Sequence, residues 1–175
     1  EVYGPDTPIE DVLRAHTETI EFVWLSRPSV LLSFMPTLLT WAPHLTLVYD
    51  MVDAHGLRVA REAMSKNKPE IALQARRERG KERAAARIAD VIVTLSATDE
   101  DYITSISEAE TTTVRIPNVH SSEPTVTAFN DRAGLLFVGG YEHEPNIDAV
   151  KHLVGDIMPL VWERIGDVPV TLAGS

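Results

Sequence analysis

Cysteine is absent from the 175-residue chain. Its absence excludes disulfide bonds, zinc sites built on thiolates, and catalysis by a thiol. Long apolar runs are absent as well. The longest apolar stretch, residues 30–41, is too short to span a bilayer and is interrupted by Ser33, Pro36, Thr37 and Thr40. We therefore expect a cytoplasmic protein and leave open a position at the inner face of the membrane.

Charge and histidine spacing exclude further classes of function. The formal net charge is −10, which disfavours binding to polyanions, so we expect no nucleic-acid partner. The histidines show no metal-ligand spacing such as H-x-x-x-H, so we predict no metal site. They are scattered along the chain as His16, His44, His55, His120, His143 and His152.

Short apolar or β-branched segments predict six strands. Several of them lack the alternation of a half-exposed strand, which is typical of strands covered on both faces of a parallel sheet. Helical patterns lie between them, so the order indicates an α/β fold with parallel sheets. The predicted strands are residues 21–25, 45–49, 91–95, 113–116, 135–138 and 168–172.

Four helical regions are predicted, one before the first strand and three between later strands. Residues 8–15 form a short helix, and residues 57–89 a long charged one with an interruption near residues 67–69. Ser96 and Asp99 resemble a capping box that begins a helix directly after the third strand. The last helix carries apolar residues at helical spacing over residues 147–161, and we expect a kink or break at Pro159.

A change in composition divides the chain. Residues 118–132 are polar and lack periodicity, which is typical of a linker between domains. We predict one domain over residues 1–120, a linker over 121–132, and the start of a second domain over 133–175. Because the first residue is Glu and the last residues resemble a strand entering a glycine turn, we expect a fragment of a longer protein.

A polar cluster follows the second predicted strand. Asp50, Asp53, His55 and Arg58 supply carboxylates, an imidazole and a fixed cation at the edge of the sheet where ligands of open α/β folds bind. These groups suffice to bind a sugar or a phosphate. The alternative is that the acids cap the next helix and Arg58 forms a surface ion pair; the residue types alone do not decide between them.

A second candidate site is the glycine pair after the fifth strand. Gly139 and Gly140 let a ligand approach the backbone before a helix start, where His143 and Asn146 are in reach of an anionic ligand. The loop matches neither a P-loop nor G-x-G-x-x-G. Alternatively, Glu144 or Asn146 is a simple N-cap, with Pro145 in the first turn.

Basic residues are concentrated over residues 76–87, where they alternate with Glu78 and Glu82. We interpret this run as a solvated helix face with ion pairs. Contact with an acidic membrane surface or an anionic acceptor is the alternative.

Taken in order, several segments resemble one family. They are VWLSRP (residues 23–28), VYDMVDAH (48–55), ADVIVTLS (89–96), IPNVH (116–120) and LLFVGGYEHEPNIDAV (135–150). This order is similar to that of bacterial retaining glycosyltransferases of the GT-B class, in the large group that also contains sucrose synthases and mannosyltransferases. The resemblance covers the chain from about residue 21 onward.

The resemblance implies parts of two Rossmann-like domains that face each other across a cleft. Asp53 and His55 are then the catalytic candidates near the reacting sugar, with Asp50 and Arg58 on the acceptor side. Gly139 and Gly140, with His143 and Asn146, are then placed at the diphosphate of a nucleotide-sugar donor. The resemblance also implies no metal and no cofactor, and a carbohydrate, lipid-linked or other small acceptor.

The chain departs from the family pattern in two respects. Many members carry an Arg after the first glycine of the loop and a Lys a few residues later, where this chain has Gly140 and, approximately, Pro145. The family's E-x7-E element for the donor sugar is expected beyond residue 175. We therefore expect the fragment to be inactive by itself, and its truncated sheet makes a homodimer an option.

Two other hypotheses remain open. The absence of the family's Arg and Lys from the glycine loop is consistent with a non-catalytic ligand-binding or interaction module on the same fold. An unrelated Rossmann-like enzyme, such as a dehydrogenase or an epimerase, is disfavoured because G-x-G-x-x-G is absent.

Overall fold

The computed structural model describes residues 2–4, 6–107, 111–122 and 124–175. The chain divides into two compact units, Glu1–His120 and Ser121–Ser175. Within the described ranges, the first unit contains a four-stranded sheet and the second a two-stranded sheet, with parallel pairing in both. The predicted α/β class with parallel sheets is therefore confirmed. Glu123, within the predicted linker, lies outside the described residues.

The sheet of the first unit has the strand order β1-β2-β3-β4. Each strand lies within one or two residues of its predicted position. Ser26 at the end of β1 is in register with Asp50 at the end of β2, so the carboxyl ends of these strands meet at one edge. The strands are β1 (Phe22–Ser26), β2 (Thr46–Asp50), β3 (Val91–Thr94) and β4 (Thr112–Arg115).

Helices connect these strands, and most follow the predicted pattern. The predicted interruption of the long helix is confirmed: Asn67 has φ +48°, in the left-handed region, and Pro69 begins the next helix. The predicted capping box is confirmed too, because Ser96 Oγ accepts the Asp99 N–H at 3.2 Å at the start of a helix. The helices are α1 (Ile9–His16), α2 (Pro28–Trp41), α3 (His55–Lys66), α4 (Pro69–Ile88) and α5 (Ala97–Ser107).

Helix α2 was not predicted from the sequence. Its residues are apolar around most of the helix, so no stripe of helical period is visible, and Pro36 lies inside it. Pro28 occupies the first turn, where proline has no hydrogen bond to lose. Leu31 and Leu38 are almost completely buried, so packing on the sheet stabilises this helix in spite of its interior proline.

The core lies on one face of the sheet. Successive strand residues point to opposite faces, and Leu47, Tyr49 and Ile92 share the face that the helices cover. On the opposite face, Phe22 and Trp24 are 56% and 45% exposed. The prediction that both faces are covered is therefore wrong for Phe22 and Trp24, although Val48 and Val93 on the same face are buried.

The second unit is built on β5 and β6, which pair in parallel. The predicted break near Pro159 is confirmed: a π-helical turn, Leu153–Ile157, separates two α-helices, and Pro159 lies in the first turn of the second. Between the helix and the last strand the chain turns at Gly166, which has φ +87°. The elements are β5 (Leu135–Val138), α6 (Glu144–His152), α7 (Met158–Ile165) and β6 (Val170–Ala173).

Candidate functional site

The loop after β2 is held in an unusual backbone conformation. Val52 has φ +64°, a region that β-branched residues rarely adopt. Such a conformation costs on the order of 1–3 kcal/mol, and residues of this kind concentrate at ligand-binding and catalytic sites. Hydrogen bonds within the loop hold it: the Asp53 N–H donates to the Met51 carbonyl at 2.7 Å, and the His55 N–H to the Asp53 carbonyl at 2.9 Å.

Three of the predicted site residues contact one another at the start of α3. Arg58 Nε lies 3.4 Å from Asp53 Oδ2, and Arg58 Nη2 lies 2.5 Å from His55 Nδ1. A guanidinium can only donate hydrogen bonds, so His55 Nδ1 is the acceptor and Nε2 carries the proton of the neutral ring. All three side chains are partly exposed, at 39% for Asp53, 30% for His55 and 55% for Arg58.

Asp50, the fourth member of the predicted cluster, has a different set of partners. Its Oδ2 accepts hydrogen bonds from Trp24 Nε1 at 3.1 Å and Ser26 Oγ at 3.0 Å, and its Oδ1 accepts from the Val52 N–H at 3.1 Å. The carboxylate therefore joins β1 to β2 and holds the loop at Val52. The structure brings Asp53, His55 and Arg58 together, whereas Asp50 binds the neighbouring strand.

A hollow lies beside this cluster, between the loops that follow β2 and β3. We name it the polar hollow because most of its lining residues are polar, with Ala54 and Leu57 adding apolar surface. Its volume is about 440 Å³, within the usual range for small-ligand sites. The first loop and α3 contribute Asp53, Arg58 and Arg61. The second loop contributes Ser96, and the first turn of α5 contributes Asp99. The hollow is thus at the carboxyl edge of two neighbouring parallel strands, where open α/β sheets bind their ligands.

Sequence reasoning did not include Arg27 among the candidate site residues. It follows β1 with φ +76°, and its N–H donates to the Asp50 carbonyl at 2.8 Å. Its exposed side chain makes no hydrogen bond or ion pair with the residues that the structure describes. The signal in the sequence was its place directly after a strand, beside a proline that begins a helix.

A buried carboxylate lies behind the start of α3. Glu82 of α4 is completely buried, and it accepts hydrogen bonds from the Gly56 N–H at 2.9 Å and the Tyr102 hydroxyl at 2.5 Å. Burial raises the pKa of Glu82, while these two hydrogen bonds oppose the rise. The prediction of a solvated helix face is therefore wrong for Glu82. The signal was its spacing from Ala75 and Ala86, which places all three on one buried face.

Two hydroxyl groups on the covered face of the sheet have no hydrogen-bond partner among the described residues. They belong to Tyr49 and Thr94, which are both completely buried. Burial raises the pKa of the Tyr49 phenol, and the negative charge of Glu82 raises it further. Tyr49 therefore stays neutral at physiological pH. Buried polar atoms without partners are uncommon and often mark a bound water or a functional position.

In the second unit, the loop of Gly139 and Gly140 is closed by a hydrogen bond between its own residues. Asn146 Nδ2 donates to the Gly140 carbonyl at 2.9 Å, and a Cβ added to Gly139 would lie 2.9 Å from that nitrogen. His143 precedes α6 as its N-cap, is exposed, and makes no side-chain capping bond. Neither Glu144 nor Asn146 is the N-cap, so that alternative is wrong, whereas Pro145 lies in the first turn as predicted.

The residues that the structure describes hold neither a metal-binding cluster nor a helix able to cross a membrane. No group of three or more His, Asp or Glu side chains among them is arranged to hold a metal ion. Among the same residues, no helix combines the length and apolarity needed to cross a membrane. Comparison with protein-family models, with curated proteins and with solved structures gives no match for this chain.

Proposed function

We propose that the chain forms part of a retaining glycosyltransferase of the GT-B class that transfers a sugar from a nucleotide-sugar donor to an acceptor. The observation that carries the proposal is the cluster of Asp53, His55 and Arg58 beside a polar hollow at the carboxyl edge of β2. The ordered motifs of the sequence support the same assignment, as does the parallel α/β sheet.

In this proposal, the first unit binds the acceptor and the reacting end of the donor. The His55 Nε2–H is an available donor for a sugar hydroxyl, because Arg58 occupies the other ring nitrogen. Asp53 accepts a hydrogen bond from a hydroxyl, and Arg58 and Arg61 stabilise negative charge on the substrate. Transfer of this kind breaks the bond from the sugar to the diphosphate and forms one to the acceptor oxygen.

In the second unit, the proposed donor site is the loop of Gly139 and Gly140 at the start of α6. The helix start offers the positive end of its dipole to a diphosphate, although the Asn146 and Ile147 N–H groups already donate to the His143 carbonyl. Residues 139–146 contain no Lys or Arg, so backbone N–H groups and His143 have to supply the contacts.

A non-catalytic ligand-binding module is the second candidate. It is favoured by the side chain of Asn146, which is already hydrogen-bonded to the Gly140 carbonyl within its own loop. That bond holds the turn together and leaves the amide nitrogen less available to a diphosphate.

Binding and turnover assays on the full-length protein separate these candidates. We expect saturable binding of one of UDP, GDP or ADP by calorimetry, and release of that nucleotide from the matching nucleotide sugar. Binding without release of nucleotide from any nucleotide sugar supports the ligand-binding module. Absence of both binding and release contradicts the proposed transferase.

A further inference from the structure

Helix α3 begins without a cap of its own. The residue before it is Ala54, whose side chain cannot accept a hydrogen bond, and the first turn contains no acidic residue. The first N–H groups of a helix have no partner within the helix and need an acceptor from elsewhere. Glu82 of α4 supplies one, because its Oε1 accepts the Gly56 N–H at 2.9 Å. A negative charge is also favourable beside the positive end of a helix.

The contact between Glu82 and α3 depends on a glycine. A Cβ on Gly56 would lie 2.5 Å from Glu82 Oε2, 2.7 Å from the Tyr102 hydroxyl and 2.9 Å from the Arg79 backbone nitrogen. These distances are too short for any side chain, so the absence of one lets α4 approach the first turn of α3. Tyr102 of α5 holds the second oxygen of Glu82 and fixes the direction of the carboxylate.

The first turn of α3 carries the candidate site. His55 directly precedes Gly56, and the contact between His55 and Arg58 spans residues three apart on the helix. The helical turn brings these two side chains together, because residues three apart are neighbours on a helix surface. Fraying of the turn therefore separates Arg58 from the His55 ring.

We propose that Glu82 is a positioning residue, which caps α3 from α4 and thereby holds His55 and Arg58 together in the candidate site. Its importance for transfer rests on the proposed function, but its effect on the His55 ring does not. Glu82 makes no hydrogen bond to His55 and does not line the polar hollow, so apart from a Coulombic interaction with His55 it acts through the backbone of Gly56.

The test is the ring ¹⁵N spectrum of His55 in the chain, recorded at pH 8 and assigned with the variant His55→Gln. Glu82→Met removes both hydrogen bonds and fills the same space with an unbranched apolar side chain. Glu82→Gln keeps an acceptor for the Gly56 N–H. Glu78→Met makes the same change one turn earlier on α4, at a residue paired with Lys81 instead of α3. Circular dichroism checks that each variant is folded.

We expect the wild type to show one tautomer of His55, with the proton on Nε2. In Glu82→Met the difference between the two ring ¹⁵N shifts should be smaller than in the wild type, because the tautomers mix. In Glu82→Gln most of the wild-type difference should remain. In Glu78→Met the difference should equal that of the wild type. A folded Glu82→Met with an unchanged His55 spectrum overturns the proposal, because Glu82 then acts through packing alone.

A second measurement decides the outcome if Glu82→Met does not fold. Hydrogen exchange of the Gly56 amide should be faster in Glu82→Gln than in the wild type, because a neutral acceptor makes a weaker bond than a carboxylate. Equal exchange rates overturn the proposal. A changed His55 spectrum in a protein that lacks transferase activity removes the proposed function and leaves the positioning role intact.

Discussion

Nη2 of Arg58 lies 2.5 Å from Nδ1 of His55 in the first turn of α3. This contact fixes the roles of the two ring nitrogens, because the guanidinium has no acceptor and the ring has to accept. Nε2 is then the nitrogen left to donate to a ligand. Asp53 holds the other side of the same guanidinium at 3.4 Å, so the three side chains form one connected unit.

Arg58→Gln should remove the preference of the His55 ring for one tautomer. Glutamine is shorter than arginine and carries no charge, so Nδ1 loses its fixed donor and both tautomers become populated. Ring ¹⁵N chemical shifts measure the change, and Arg61→Gln is the matched control because it lies one turn further along α3. Equal spectra of His55 in Arg58→Gln and the wild type would show that the contact does not set the tautomer.

Gly56→Ala should destabilise the protein by about 1–3 kcal/mol, the usual range for an overpacked core. The added Cβ meets Glu82 Oε2 at 2.5 Å and the Arg79 backbone, and the backbone cannot move aside freely. Gly80→Ala is the control, because nothing lies within 4 Å of a Cβ at Gly80 in α4. It should stabilise the protein by roughly 0.5–1 kcal/mol through helix propensity. Urea unfolding measures both, and a Gly56→Ala variant as stable as Gly80→Ala contradicts the close approach.

Asp50→Ala should also lower the free energy of unfolding, by about 2 kcal/mol, because hydrogen bonds to a charged group are the stronger ones. It removes the acceptor shared by Trp24 and Ser26 and the bond that holds Val52. Asp101→Ala removes an exposed carboxylate of α5 and should change the stability by less than about 0.5 kcal/mol. Similar unfolding midpoints for the two variants would show that Asp50 does not join the strands.

Glu82 and Glu100 should affect the pH dependence of stability in opposite directions. Burial raises the pKa of Glu82 in the folded state, so its contribution is present at acidic pH and is lost as the pH rises above about 4.5. Hydrogen bonds from Arg115 and Thr113 lower the pKa of Glu100, so its contribution is present at neutral pH and is lost as the pH falls below about 4.5.

Unfolding at several pH values between about 3 and 8 tests this pair of predictions. Relative to the wild type, Glu82→Gln should gain stability as the pH rises, whereas Glu100→Gln should lose stability. A stability difference of the same sign and slope for both variants would contradict the opposite pKa shifts.

The elements of regular structure were largely visible in the sequence. All six strands found among the described residues were predicted, because runs such as residues 91–94 are apolar and β-branched and end at clear turn or cap residues. Helix α2 was missed because periodicity disappears when a helix is apolar on most sides. The exposure of Phe22 and Trp24 on one sheet face could not be predicted either, since a continuous apolar strand looks the same whether one face or both are covered.

The candidate site was predicted in part. The place of Asp53, His55 and Arg58 followed from the rule that polar residues after parallel strands meet at one edge of the sheet. The partners of Asp50 could not be predicted, because they depend on the register that brings Ser26 opposite to it. Glu82 was hidden in a run of charges, and only its spacing from buried alanines separates it from the solvated residues of α4.

The most direct test of the proposed function is the kinetics of His55→Ala in the full-length protein, with the nucleotide sugar that the wild type turns over. We predict that turnover falls roughly a hundredfold or more, as for the loss of a group that acts on the reacting centre, while the dissociation constant of the donor changes little. Unchanged turnover would contradict the account and remove His55 from the site.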